Sequence, residues 1–239
     1  MKIRAKERLI FALDVKDLNS AIHLLNELEG RGGMVKVNSL AVAHPEIVAL
    51  IQDRNIKVWR DFKHHDIPGT VANYIEADTK DGIAMTTIHT LGGKKMMGYA
   101  VRAAEKSNLK ILGITILTSH DQEIFNKEIG IPSTIQEEVI KLAKMAEEVK
   151  LDGVVASAKE AMTLRKNLKS NTLIITPGIK PLWAVRRADQ ARVITPYQAI
   201  LDGSDYLVVG SAIRTSNSPG EATNNIVSEI ENALSDRVF

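Results

Sequence analysis

The sequence predicts an α/β fold, a closed (β/α)8 TIM barrel forming a single domain over residues 1–239. Three observations carry this. Eight short apolar runs recur along the chain, each followed by a segment with helical periodicity. The runs are continuous in hydrophobicity, as strands buried on both faces of a parallel sheet must be. Nearly every run ends in a polar residue, and such barrels place their chemistry at the C-terminal ends of the strands.

The first strand is read at Leu9–Leu13 and ends on Asp14, with a helix at Leu18–Leu28. The second is Met34–Val37, which carries Lys36, followed by a helix at Pro45–Arg54. The third, Lys57–Asp61, leads into Phe62-Lys63-His64-His65-Asp66 and a helix at Thr70–Lys80. Ala84–His89 and Ile111–Leu117 follow as strands four and five, ending on His89 and on Thr118-Ser119, with helices at Lys94–Ser107 and Thr134–Val149. Gly153–Ala156, Leu173–Thr176 and Tyr206–Val209 complete the eight, with helices at Ala158–Asn167, Pro196–Asp202 and Gly220–Leu234. No Pro/Ser-rich linker divides the chain, and strand–helix alternation of this length favours a barrel over an open doubly wound sheet.

Composition narrows the function. Lys+Arg 31 against Asp+Glu 29 gives +2, so no electrostatic argument favours nucleic acid or an anionic membrane as partner. Aromatics are 4% within a hydrophobic fraction of 44%, so the core is aliphatic. The absence of cysteine excludes disulfides, thiolate metal sites and a thiol nucleophile and fits a cytoplasmic enzyme. No apolar run approaches the roughly 20 residues of a membrane span, and no signal-peptide core follows the charged N-terminus.

Asp61 and Lys63, two apart on a strand, are expected to share a side, with Asp66 just beyond and Lys36 on the neighbouring strand. Carboxylates around a buried lysine keep it charged where burial alone would neutralise it, and a charged, positioned lysine can protonate a developing carbanion. Two other readings of the same residues are a structural ion-pair network and an amine that forms a Schiff base. His64, His65 and His89 suggest a metal, but adjacent histidines on a strand point opposite ways, so no metal is expected. His23, His44 and His120 lack partners at ligand spacing.

The run Asp61-Phe62-Lys63-His64-His65-Asp66-Ile67-Pro68-Gly69-Thr70-Val71 resembles the D-x-K-x-x-D-I-P-x-T signature of orotidine 5′-phosphate decarboxylase. Phe11–Asp14, Ile88–Gly93, Leu117–Ser119, Asp152–Ala158, Thr176–Ile179, Asp189-Gln190, Thr195-Pro196 and Tyr206–Gly210 match further strands of that family in order. Hexulose-phosphate synthase-like enzymes share D-x-K-x-x-D, but the Ile67-Pro68-Gly69-Thr70-Val71 continuation argues against them. The resemblance implies cofactor-free decarboxylation of orotidine monophosphate to uridine monophosphate. Lys63 would protonate C6, Asp61 would face the departing carboxylate, Lys36 would bridge Asp61 and the ribose, and Asp14 would hold a ribose hydroxyl. Asp66 and Thr70 would reach into the site of a second subunit of a homodimer. Thr118 would line the pocket, and Gln190 with the Gly210 backbone would hold the phosphate.

The departures from the family pattern gather around the pocket. Lys180 and Ser211 stand where the family has two phosphate-binding arginines, with Arg214 three residues on. The lysine keeps charge without the bidentate fork, whereas the serine has none. The stretch Lys36–Pro45 looks about two residues short, and Pro181–Ala188, with Leu182, Trp183, Arg186 and Arg187, looks slightly long. Trp59 and Arg60 replace apolar residues, and His64 replaces an aromatic. This pattern leaves open a decarboxylase scaffold altered by divergence or engineering, with a weakened phosphate grip. Such a scaffold would use a lysine for aldolase-like carbonyl chemistry or act only as a small-molecule binder.

Overall fold

The computed structural model describes residues 3–185 and 193–237. Its eight strands are β1 (Leu9–Ala12), β2 (Met34–Val37), β3 (Lys57–His64), β4 (Met85–His89), β5 (Lys110–Ile114), β6 (Gly153–Val155), β7 (Leu173–Thr176) and β8 (Tyr206–Val209). They form a closed barrel in the order β1 to β8. The helices are α1 (Ala5–Arg8), α2 (Leu18–Leu28), α3 (Ser39–Ala43), α4 (Ile47–Gln52), α5 (Pro68–Lys80) and α6 (Gly93–Ala104). After them come α7 (Ile135–Glu148), α8 (Ala158–Asn167), α9 (Pro196–Leu201), α10 (Ser211–Arg214) and α11 (Pro219–Asp236). Among the described residues no helix is long and apolar enough to cross a membrane. The chain divides into two compact units, residues 1–61 with 176–239, and residues 62–175.

In the first unit, β1 is parallel to β2 and to β8, and β2 to β3. The register sets Ala12 against Lys36 and Lys36 against Trp59, so these three side chains lie on one face. α2 begins where Asp17 accepts from the Ser20 amide at 2.8 Å, an N-cap that satisfies one of the helix's free donors. It buries Ala21, Leu24, Leu25 and Leu28, one stripe at helical spacing. Each large side chain so buried contributes roughly 1.5–3 kcal/mol. At the end of β7, the fully buried Thr176 hydroxyl donates to Ser204 Oγ at 3.0 Å, tying that strand end to the turn before β8.

In the second unit, β4, β5, β6 and β7 are parallel neighbours. Asp152, just before β6, accepts from the Ile111 amide at 2.9 Å and pairs with Lys110 at 3.5 Å, so this residue of the sequence pattern anchors the start of β5. Gly153 is required by close packing, since a Cβ there would run into the Leu173 carbonyl. α7 opens with a capping box between Thr134 and Glu137, and α8 with one between Ser157 and Glu160.

Three local expectations change. β5 ends at Ile114, and the apolar run beyond it continues as a buried irregular segment with Ile116 inside, because an apolar run marks burial and not ladder pairing. Thr118 and Ser119 therefore sit in an exposed turn, several residues past the strand end. β3 is longer than expected and takes in Phe62, Lys63 and His64. The short helices α1, α3 and α10 have too few residues to display a period in the sequence.

Candidate active site

In the first unit, the ends of β1, β2 and β3 bring three of the expected residues together. Lys36 Nζ lies 3.4 Å from Asp14 Oδ1 and 3.5 Å from Asp61 Oδ2. Lys36 and Asp61 are buried, with side chains 9% and 7% exposed, whereas the Asp14 side chain is 46% exposed. The lysine thus bridges an inner carboxylate and an outer one, and a buried ion pair is tolerable only when charges are compensated in this way. Trp59, opposite Lys36 in the β2–β3 register, is 1% exposed, and its indole N–H has no hydrogen-bond partner among the described residues.

Asn38 belongs to this group and was not foreseen. Its Nδ2 donates to Asp14 Oδ1 at 3.1 Å, while its Oδ1 accepts from the Ser39 amide at 2.7 Å and caps α3. Within the stretch Lys36–Pro45, residues Ser39–Ala43 fold into the five-residue helix α3. An asparagine ahead of a helical stretch is a capping signal that could have revealed it.

The phosphate end of the expected site lies on β8 and the segment after β7. Gly210 follows β8, and a Cβ there would stand 3.4 Å from Ala12 Cβ and 3.9 Å from Asp14 Oδ2, so the bare backbone borders the Asp14 carboxylate. Ser211 opens α10 and is exposed. A cavity of about 310 Å³ beside it is lined by Trp183, Ala184, Ser211, Ala212, Thr215, Ser216 and Asn217, none of them charged. Lys180 is exposed, its amide donating to the Ile194 carbonyl at 3.2 Å. Arg214, the last residue of α10, is exposed and does not line that cavity. Gln190, Arg186 and Arg187 lie outside the described residues.

In the second unit, Lys63 has φ 52°, in the left-handed region, although it stands within β3. Simple strand alternation therefore does not govern its direction. Its amide donates to Thr87 Oγ1 of β4 at 3.0 Å, and Thr87 is fully buried. Asp66 and Thr70 lie at the entry to α5. Asp66 is exposed, with its Oδ1 accepting from the Ile67 amide at 2.6 Å, and Thr70 is half-buried in the first turn.

The two histidines diverge. His64 stacks on Tyr74 of α5 at 4.5 Å between centroids and places Nε2 3.9 Å from Asp78 Oδ2, a carboxylate 2% exposed. This histidine packs on α5. His65 lies beside His89, with ring centroids 5.4 Å apart. Among the described residues no three His, Asp or Glu side chains stand together as a metal site.

Several known proteins resemble this chain over nearly its full length. Residues 7–226 match the orotidine 5′-phosphate decarboxylase / HUMPS family. The orotidine 5′-phosphate decarboxylase of Moorella thermoacetica is 37% identical over 240 residues, covering 97% of this chain and 95% of the relative. That of Syntrophotalea carbinolica is 39% identical, covering 98% and 99%. Among solved structures, orotidine 5′-phosphate decarboxylase from Lactobacillus acidophilus superposes with a TM-score of 0.83 at 31% identity, covering 93% of this chain and 98% of its own. An uncharacterized conserved protein from Geobacillus kaustophilus superposes with a TM-score of 0.82 at 27% identity, covering 93% and 99%.

Proposed function

The chain belongs to the orotidine 5′-phosphate decarboxylase / HUMPS family, and we infer from this that it is a carboxy-lyase converting orotidine monophosphate to uridine monophosphate without a cofactor. The observation that carries the assignment of roles is the buried Lys36–Asp61 pair, whose aspartate opens the D-x-K-x-x-D run that contains Lys63.

Asp61, charged and out of water, faces the substrate carboxylate and disfavours the bound ground state more than the product. The C6–carboxylate bond breaks heterolytically, CO2 leaves, and the electron pair stays on C6. The Lys63 ammonium gives C6 its proton and is reprotonated from solvent. Lys36 pairs with Asp61 and reaches the ribose with Asp14, an arrangement that Asn38 supports by holding Asp14. Thr118 is assigned to the lining of the pocket. Lys180, Gln190, Ser211 and the Gly210 backbone take the phosphate.

We place Asp66 and Thr70 in the site of a partner subunit, so that a cytoplasmic homodimer of single-domain barrels would share its two active sites. The exposure of Asp66 at the start of α5 supports this. A remote phosphate that does not react supplies binding energy used in catalysis, so a grip of one exposed lysine and one serine makes a slower enzyme of the same kind.

The test is the loss of absorbance on adding orotidine monophosphate to the wild type and to Lys63→Ala. Turnover in the first and none in the second is expected. A folded wild-type protein without turnover would overturn the reading, and trapping of a lysine by borohydride with a carbonyl substrate would then favour amine chemistry.

A further inference from the structure

Lys63 stands in a backbone conformation that is unfavourable for any residue with a Cβ, at φ 52° inside a strand. Such a conformation persists only where the surroundings over-determine it. Within a parallel ladder a strand amide ordinarily donates to a main-chain carbonyl of its neighbour. The Lys63 amide instead donates to a side-chain hydroxyl, Thr87 Oγ1, at 3.0 Å.

Thr87 is suited to hold it. The residue is 0% exposed, so water does not compete for its oxygen. Its branched Cβ restricts the side-chain rotamer, and its backbone is fixed in β4 opposite Leu112 of β5. The acceptor is therefore rigid, and the amide must come to it. Thr87 was not among the residues that the sequence pattern singled out.

We propose that Thr87 is a positioning residue for Lys63. By accepting the Lys63 amide hydrogen, its hydroxyl fixes the lysine backbone in the left-handed conformation and with it the Cα–Cβ direction of the proton donor. This rests on the role of Lys63 inferred above, and Thr87 itself touches neither substrate nor reacting atom.

Thr87→Val keeps the shape and removes the acceptor, while Thr87→Ser keeps the acceptor and removes the methyl. In orotidine monophosphate turnover, Thr87→Val is expected to lower kcat about tenfold to a hundredfold with KM changed less than about threefold, the signature of an interaction that matters in the transition state. Thr87→Ser should return kcat to within about threefold of wild type, because the hydroxyl survives. Hydrogen exchange at the Lys63 amide should be slow in the wild type and at least about tenfold faster in Thr87→Val.

A Thr87→Val enzyme with kcat within about twofold of wild type would overturn the proposal, as would a serine variant no better than valine, which would assign the effect to methyl packing. If the valine variant does not fold, the serine variant's kcat and the wild-type exchange decide it, and a Lys63 amide exchanging like an unprotected peptide would overturn it. A folded wild type without turnover removes the functional reading and this inference together. Turnover with an indifferent Thr87→Val removes this inference alone.

Discussion

Substituting Lys36 by methionine tests whether the site is held as a buried ion pair. The Lys36 ammonium is 3.5 Å from Asp61 and 3.4 Å from Asp14, but the two carboxylates sit in different surroundings, 7% and 46% exposed. At an effective dielectric of ~20, two charges at the inner separation attract by about 5 kcal/mol. Removing one member of a buried pair generally costs about 3–5 kcal/mol, since the other charge stays in a low-dielectric site. The outer contact, screened by solvent, is worth ~1 kcal/mol or less. Lys36→Met should therefore lower the unfolding free energy by about 3–5 kcal/mol, and Asp14→Asn by less than about 1 kcal/mol. Combining Lys36→Met with Asp61→Asn should recover about 2 kcal/mol or more, because the stranded charge is gone. Urea denaturation at one fixed protein concentration measures this, provided that the slope of the transition is unchanged. Equal and small effects of Lys36→Met and Asp14→Asn would refute the reasoning, since they would mean that water screens Asp61 as well as Asp14.

Ser211→Arg should raise kcat/KM for orotidine monophosphate by about one to two decades, the equivalent of one charged hydrogen bond at roughly 1.5–3 kcal/mol, mainly through KM. Steady-state kinetics on the two proteins check it, and an unchanged kcat/KM would mean that the uncharged cavity beside Ser211 does not receive the phosphate. Burial pushes the Glu160 carboxyl above the usual glutamate range, against the opposing hydrogen bond from the Ser157 amide. A raised value means that the folded protein holds this proton more tightly than the unfolded chain does. Its stabilising contribution is thus present at low pH and is lost as the pH rises past the ordinary glutamate value and through the folded one. Glu160→Gln, which can still cap α8, should melt higher than wild type at pH 7 and converge with it near pH 4. Thermal melts across that range check this, and a gap independent of pH would contradict it.

The barrel is legible in the sequence because its strands are buried on both faces and its helices on one. Those requirements leave a continuous run at Leu173–Thr176 and a stripe at Ala21, Leu24, Leu25 and Leu28. Strand ends are less legible, as at Ile116, where an irregular segment is as buried as a strand. In the site, the Asp14–Lys36–Asp61 contacts follow from strand adjacency and charge. Asn38 and Thr87 do not, because each joins the site by a hydrogen bond across a gap of more than twenty residues, and their types are common in loops and strands elsewhere. The direction of His64 was open for a similar reason, since Tyr74 and Asp78, the side chains that take it, lie on the following helix.

With Lys63 in the role proposed above, its left-handed backbone sets stability and chemistry against each other at a single position. Glycine would relax that backbone, and asparagine would tolerate it better than lysine does. A library of this protein screened for thermal resistance alone would tend to discard the lysine proposed above as proton donor, whereas one screened for turnover should keep it and gather its stabilising changes elsewhere. Residue 63 is thus the place where the two kinds of selection part company, and a thermostable descendant that lost activity should be sequenced there first.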